Sequence, residues 1–142
     1  ALACDMIVAA AGTKMGLPEI LLNLIPGGGG SLRLTKKIGI NLTNEIVMTG
    51  RTIVAEEMHA RGVINYIYPR ENFIEKATEF AQTFAAQLPD RLQAIKQLTQ
   101  EAANGITPAL QAKEAAALGK FYRSKEGQEK IQAFYNKSLE KK

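Results

Sequence analysis

Met15-Gly16-Leu17-Pro18-Glu19 and, six residues on, Ile25-Pro26-Gly27-Gly28-Gly29-Gly30-Ser31-Leu32-Arg33-Leu34 are the stretch on which the fold of this chain turns. Between the two motifs runs the apolar segment Ile20 to Ile25, ended by Pro26 and four glycines. Ser31 then opens an amphipathic helical pattern through Leu32, Leu34 and Ile38, with Gly39 as its stop. The glycine run has several readings. GGGGS is the composition of a flexible linker, but no polar spacer flanks it. A phosphate loop needs GxxxxGK[ST], and Leu32-Arg33 stands where Lys and Ser or Thr are required. Two readings stay open: glycines that let backbone N–H groups approach a ligand at a helix start, and a tight turn entering the helix.

Glu19 is the acid of most interest. It sits between Pro18 and Ile20-Leu21-Leu22, eight residues before the glycines. A partly desolvated carboxyl is suited to general acid or base work. Pattern alone favours the plainer alternative, a surface glutamate that begins an element.

Upstream, Met6 to Ala10 reads as a strand and Thr13 to Gly16 as a second short strand or turn. Downstream, Asn41 or Thr43 is expected to cap a helix whose Ile46 and Val47 point inward before Gly50 ends it. Ala55 to Arg61 is expected to be a short helix, and Val63 to Tyr68, stopped by Pro69, a strand. Beyond Pro69 the chain turns rich in Ala, Gln, Glu and Lys, which favour helix. Phe73, Ala77, Phe80, Phe84 and Leu88 share one face up to Pro89. Leu92, Ile95, Leu98 and Ala102 repeat the arrangement up to Asn104-Gly105. Thr107-Pro108 starts a helix running to Tyr122, and a last helix from about Glu126 carries Ile131, Phe134 and Tyr135. Such stripes need something to lie against, either one another or another subunit. The terminal Leu139-Glu140-Lys141-Lys142 reads as a solvated end.

The chain has 142 residues, 18 Lys and Arg against 14 Asp and Glu, a formal charge of +4, with 46% apolar and 23% charged residues. That composition buries a core and excludes wholesale disorder. Its apolar stretches are too short to span a bilayer. Basic residues are scattered without interleaved aromatics, so nucleic acid is not indicated even at pI 9.2. The single cysteine, Cys4, excludes an internal disulfide framework and a Cys-based zinc site and suits a reducing compartment; it reads as a small buried apolar residue. No metal site is expected. His59 reads as structural or exposed, and Glu56-Glu57 and Lys36-Lys37 as solvated helix faces. The chain opens on ALACDMIVAAAG with no basic leader, as though inside a packed element.

Taken in order, Ala3-Cys4-Asp5-Met6-Ile7, Met15 to Glu19, Ile25 to Leu34, Met48-Thr49-Gly50 and Ala60-Arg61-Gly62-Val63-Ile64 resemble the enoyl-CoA hydratase/isomerase (crotonase) superfamily. The resemblance implies an α/β fold. Residues 1–69 would be the C-terminal part of a crotonase (ClpP/crotonase-like) spiral of ββα turns, and 70–142 an α-helical C-terminal region that mediates trimerisation. It also implies that the oxyanion-hole loop and a first catalytic glutamate precede Ala1, leaving this chain nearly inactive alone.

Carried over residue by residue, Glu19 falls on the family's second catalytic glutamate and Gly27 on a glycine whose backbone positions the attacking water. Phe134 and Lys137 match a motif that in some members lies near the adenine and phosphate of CoA. The implied substrate is an acyl-CoA thioester, with no separate cofactor. The implied activity is hydration of a 2-enoyl-CoA, with double-bond isomerisation as the alternative, because Leu17 replaces the Gln of some hydratases. A non-catalytic acyl-CoA-binding or assembly protein is the rival from another class. The implied assembly is a homotrimer or dimer of trimers, in the bacterial cytoplasm or the mitochondrial matrix.

Overall fold

A computed structural model describes residues 1–139, which divide into two compact units, 1–81 and, among the described residues, 82–139. Glu140, Lys141 and Lys142, on which most of the expected solvated end falls, lie outside the described residues.

The first unit begins with a turn, closed by a hydrogen bond from the Cys4 N–H to the Ala1 carbonyl (2.9 Å), rather than a packed element. Cys4 is exposed in that turn, which corrects its reading as a buried residue; the strand that would have covered it starts only at Val8. Strand β1 (Val8–Ala10) pairs in parallel with β4 (Tyr66–Tyr68), Val8 opposite Tyr66 and Ala10 opposite Tyr68. Strand β2 (Lys14–Met15) pairs antiparallel with β3 (Ile53–Val54). The crossover from β1 to β4 carries helices α1 (Gly30–Ile38), α2 (Ile40–Thr49) and α3 (Ala55–Ala60). The expected strand over 63–68 is shorter than predicted because Val63 and Ile64 are buried in the core ahead of it.

Gly39 both terminates α1 and caps α2, with φ 80° and ψ 166°. No polar link is left between the helices, so neither Asn41 nor Thr43 is a cap. The Thr43 hydroxyl instead donates back to the Gly39 carbonyl at 2.8 Å, inside the first turn. Ile46, Ala55, Met58 and Ile64 form the centre of the core, with Ile46 0% exposed.

The pair Glu56-Glu57 is not simply solvated. Glu56 accepts from the Gly12 N–H (2.8 Å), tying α3 to the β1–β2 turn, and this bond holds its carboxyl below the ordinary range. Arg51 donates to Glu45 and Glu57, each at 2.7 Å, and holds Glu57 low as well. His59 is exposed and its Nδ1 lies 2.9 Å from the Ile64 carbonyl, the structural role expected of it.

Helix α4 (Phe73–Ala85) starts in the first unit, where Phe80 meets the edge of Tyr66 with ring centres 5.0 Å apart. In the second unit, α5 (Pro89–Ala102) and α6 (Pro108–Tyr122) each carry proline in the first turn. Thr107 caps α6 by accepting from the Leu110 N–H (3.1 Å). The Arg91 guanidinium lies 4.6 Å from the centre of the Phe121 ring and donates to the Ser124 hydroxyl (2.8 Å), joining α5 to the start of α7 (Lys125–Leu139). Lys113 and Glu101 pair between α6 and α5.

Candidate active site

Glu19 opens a single 3-10 turn, Glu19–Leu22, as the first polar residue after the Pro18 constraint. Asn23, in the left-handed region at φ 55°, closes the turn. Its N–H donates to the Ile20 carbonyl (3.1 Å), and the Leu24 N–H donates to the Glu19 carbonyl (3.0 Å).

Two close approaches seat this turn. Leu17, just before it, packs on Gly30 at the head of α1, where a Cβ would come within 2.9 Å of its Cδ2. Leu21 and Ile20, just after Glu19, press on Gly50 at the end of α2, where a Cβ would meet them at 2.8 and 3.1 Å. The residues on either side of Glu19 are thus seated at the start of α1 and the end of α2. The Glu19 Oε2 is sealed from solvent and accepts no hydrogen bond among the described residues. An unpartnered buried carboxylate oxygen is costly, and such groups concentrate where chemistry needs them.

Beside the turn lies a cleft of about 640 Å³. Its walls are Ile7, Ala9, Met15, Leu17, Leu34, Ile53, Met58 and Phe73, and its rim includes Gly27, Gly28, Gly30 and Arg33. Gly28 (φ 61°) and Gly29 (φ 78°) are consecutive left-handed residues, a path that only glycine takes without strain. The run therefore wraps tightly into α1, with the Gly30 N–H donating to the Gly27 carbonyl (3.2 Å), instead of trailing as a linker. A cleft of this size, mostly apolar with a few polar groups at one edge, fits a small acyl group.

The expected site residues fall in different places. Gly27 lines the cleft, as does Leu17, two residues before Glu19; Glu19 itself does not. Phe134 and Lys137 lie in the second unit, three residues apart on α7, Phe134 73% exposed and turned edge-on to Tyr135. Sequence reasoning weighed Arg33 only as a misfit to a phosphate loop. Here its Nη1 donates to the Gly28 carbonyl at 2.7 Å. The available signal was a cation in the first turn of a helix that follows a run of bare carbonyls. No group of three or more His, Cys, Asp or Glu that could hold a metal occurs among the described residues.

These features define a crotonase-fold chain: a protein built like the enoyl-CoA hydratase of Bacillus anthracis, which it matches with a TM-score of 0.84 at 32% identity over 96% of this chain and 53% of that one. The enoyl-CoA hydratase of Polaromonas sp. JS666 gives a TM-score of 0.86 at 30% identity, over 96% and 53%. The family model described as Enoyl-CoA hydratase/isomerase matches residues 1–141, and the chain belongs to that family.

Among curated relatives, 2,3-dehydroadipyl-CoA hydratase of Escherichia coli (strain K12) is 32% identical over 137 residues, 96% of this chain and 54% of that protein. Carnitinyl-CoA dehydratase of Salmonella typhimurium is 40% identical over 98 residues, 69% of this chain and 38% of that protein. The chain spans about half the length of the first and less of the second. Because the family match runs over residues 1–141, it does not support the expected placement as a C-terminal portion; the family assignment stands without it. Among the described residues no helix is long and apolar enough to cross a membrane.

Proposed function

We infer that the protein carrying this sequence hydrates a 2-enoyl-CoA thioester. The observation that supports this most is the Glu19 carboxyl, its Oε2 buried and unpartnered, at the head of a turn wedged between Gly30 and Gly50. In the reaction a water adds to C3 of the enoyl group and a proton goes to C2. Glu19 exchanges the proton with that water as general acid/base, and the Gly27 backbone holds the water. Negative charge gathers on the thioester oxygen, which backbone N–H donors stabilise. The acyl chain lies along the apolar walls of the cleft, while Phe134 and Lys137 receive the adenine and a phosphate of CoA. The thioester is substrate, and no separate cofactor takes part. Assembly as a trimer or a dimer of trimers would engage the exposed apolar faces of the second unit, and the cytoplasm or mitochondrial matrix suits a chain with one free thiol.

The test is hydration of crotonyl-CoA, followed as loss of the enoyl thioester absorbance, by the full-length protein that carries this sequence and by its Glu19→Gln variant. The variant should lose about 10²- to 10⁴-fold in kcat and keep its melting temperature. Hydration undiminished in Glu19→Gln would overturn the reading. Isomerisation is the second reading, supported by apolar Leu17 at the cleft wall; it predicts that a 3-enoyl thioester is converted to the 2-enoyl form with no hydroxyacyl product.

A further inference from the structure

The geometry points to Arg33 as the positioning residue of the site, a clamp that fixes the direction in which the Gly27 backbone faces the cleft. Three observations carry it. The guanidinium Nη1 donates to the Gly28 carbonyl at 2.7 Å, a charge-assisted bond reaching back from the first turn of α1 onto the run that precedes it. The guanidinium lies over the bare face of Gly29: a Cβ there would overlap Nη1, approach Cζ to 3.1 Å and push the guanidinium off this position. Among the described residues, Arg33 is also the one charged side chain lining a cleft whose other side chains are apolar except for Thr13.

A run of four glycines has more freedom to lose than any other tetrapeptide, so its single observed path needs a restraint. Within the run the main chain supplies one, the bond from the Gly30 N–H to the Gly27 carbonyl. That bond, and the one from the Arg33 N–H to the Gly29 carbonyl (3.0 Å), leave the Gly28 carbonyl without a main-chain donor among the described residues, so the Gly28–Gly29 peptide plane beside Gly27 can rotate. The Arg33 bond stops that rotation from outside. Its cationic character matters less than its reach: a planar fork on a long stem spans five residues back along the chain. Gly28, Gly29 and Arg33 are therefore one device, two residues shaping the path and the third holding it.

The kinetic consequence rests on the hydratase reading, and the structural one does not, so two measurements separate them. The first is hydrogen exchange at the Gly30 amide, the one glycine N–H of the run that is hydrogen-bonded among the described residues, compared with Lys36 to Ile38 at the far end of α1, in the protein and in Arg33→Ala and Arg33→Lys. Arg33→Ala should speed exchange at Gly30 about tenfold, the effect of losing one such hydrogen bond, and leave the far end unchanged. Arg33→Lys should fall between.

The second is kcat and KM for enoyl thioester hydration. Arg33→Ala should lower kcat by about a hundredfold, the cost of a misplaced reacting group, with KM moved far less. Added guanidinium ion should restore part of kcat in Arg33→Ala but not in Glu19→Gln. Unchanged exchange at Gly30 in Arg33→Ala overturns the clamp. Faster exchange with undiminished kcat overturns its positioning role. If the unsubstituted protein fails to hydrate any enoyl thioester, the hydratase reading falls while the exchange measurement still decides the clamp.

Discussion

The first unit, residues 1–81, and the described residues of the second, from Gln82 on, bury their apolar side chains to very different depths. In the first unit Ile46, Ala55, Met58 and Ile64 are at most 1% exposed, and short strands and helices close around them. In the second, neither α5 nor α6 buries a single residue, and the stripe residue Ile95 on α5 and Leu118 on α6 stay mostly exposed. The difference teaches where rigidity resides. The Glu19 turn and the glycine run hang on the closed core, whereas the helices of the second unit are held by caps, ion pairs and the contact of Arg91 with Phe121. Amphipathic helices gain most of their stability from packing rather than propensity, so the two units should respond to substitution on different scales.

The largest effect expected is catalytic. Glu19→Gln should remove about 10²- to 10⁴-fold of kcat without a change in the urea midpoint, which would separate chemistry from the core that holds it. Next comes the core. Ile46→Ala should destabilise by about 2–5 kcal/mol in urea unfolding, while Ile95→Ala on α5 should stay within about 0.5 kcal/mol; equal costs would break the contrast between the units. Smaller again, Thr107→Ala should remove about 1 kcal/mol and lower the far-ultraviolet helical signal of the second unit without touching hydration.

The smallest effect concerns acid. Glu57 titrates below its ordinary value of 4.5 in the folded protein because Arg51 donates to it. The unfolded chain therefore binds the proton first, and the stabilisation is complete above about that ordinary value and fades as pH falls through the lower folded one. Glu56, held by the Gly12 N–H, adds in the same direction. Urea midpoints measured from pH 7 to pH 3 should thus fall on acidification, and Arg51→Gln should make the fall shallower. An unchanged slope would show that the pair does not couple to folding.

Much of the architecture was legible in the sequence because it depends on local chemistry. Thr107-Pro108 marks a helix start by supplying a cap and removing an N–H, and Pro89, Gly39 and Gly50 mark ends, Pro89 also opening α5. The glycine run entering α1 and the proximity of Glu19 to it in sequence were equally plain. The seat of Glu19 was not legible. It depends on Leu17 meeting Gly30 and Leu21 meeting Gly50, contacts between residues 13 and 29 positions apart that no periodicity announces. The Arg33 bond to Gly28 escaped notice for the opposite reason: at so short a range a cation in a first turn reads as ordinary surface. Cys4 and Asn41 were misplaced because an apolar neighbourhood and a capping residue type each fit a structure that the turn at Ala1 and the shared glycine at 39 make unnecessary.

That shared glycine also sets a mechanical tolerance. Helices α1 and α2 are about 14 and 15 Å long at 1.5 Å per residue, and Gly39 joins them with no slack, in a region of backbone space that is essentially glycine's alone. It works as the pivot of a pair of callipers, one arm tipped with the glycine run and the other with the seat of the acid. A tilt of about 5° there would shift an arm's far tip by about 1 Å, the scale on which reacting groups cease to be aligned.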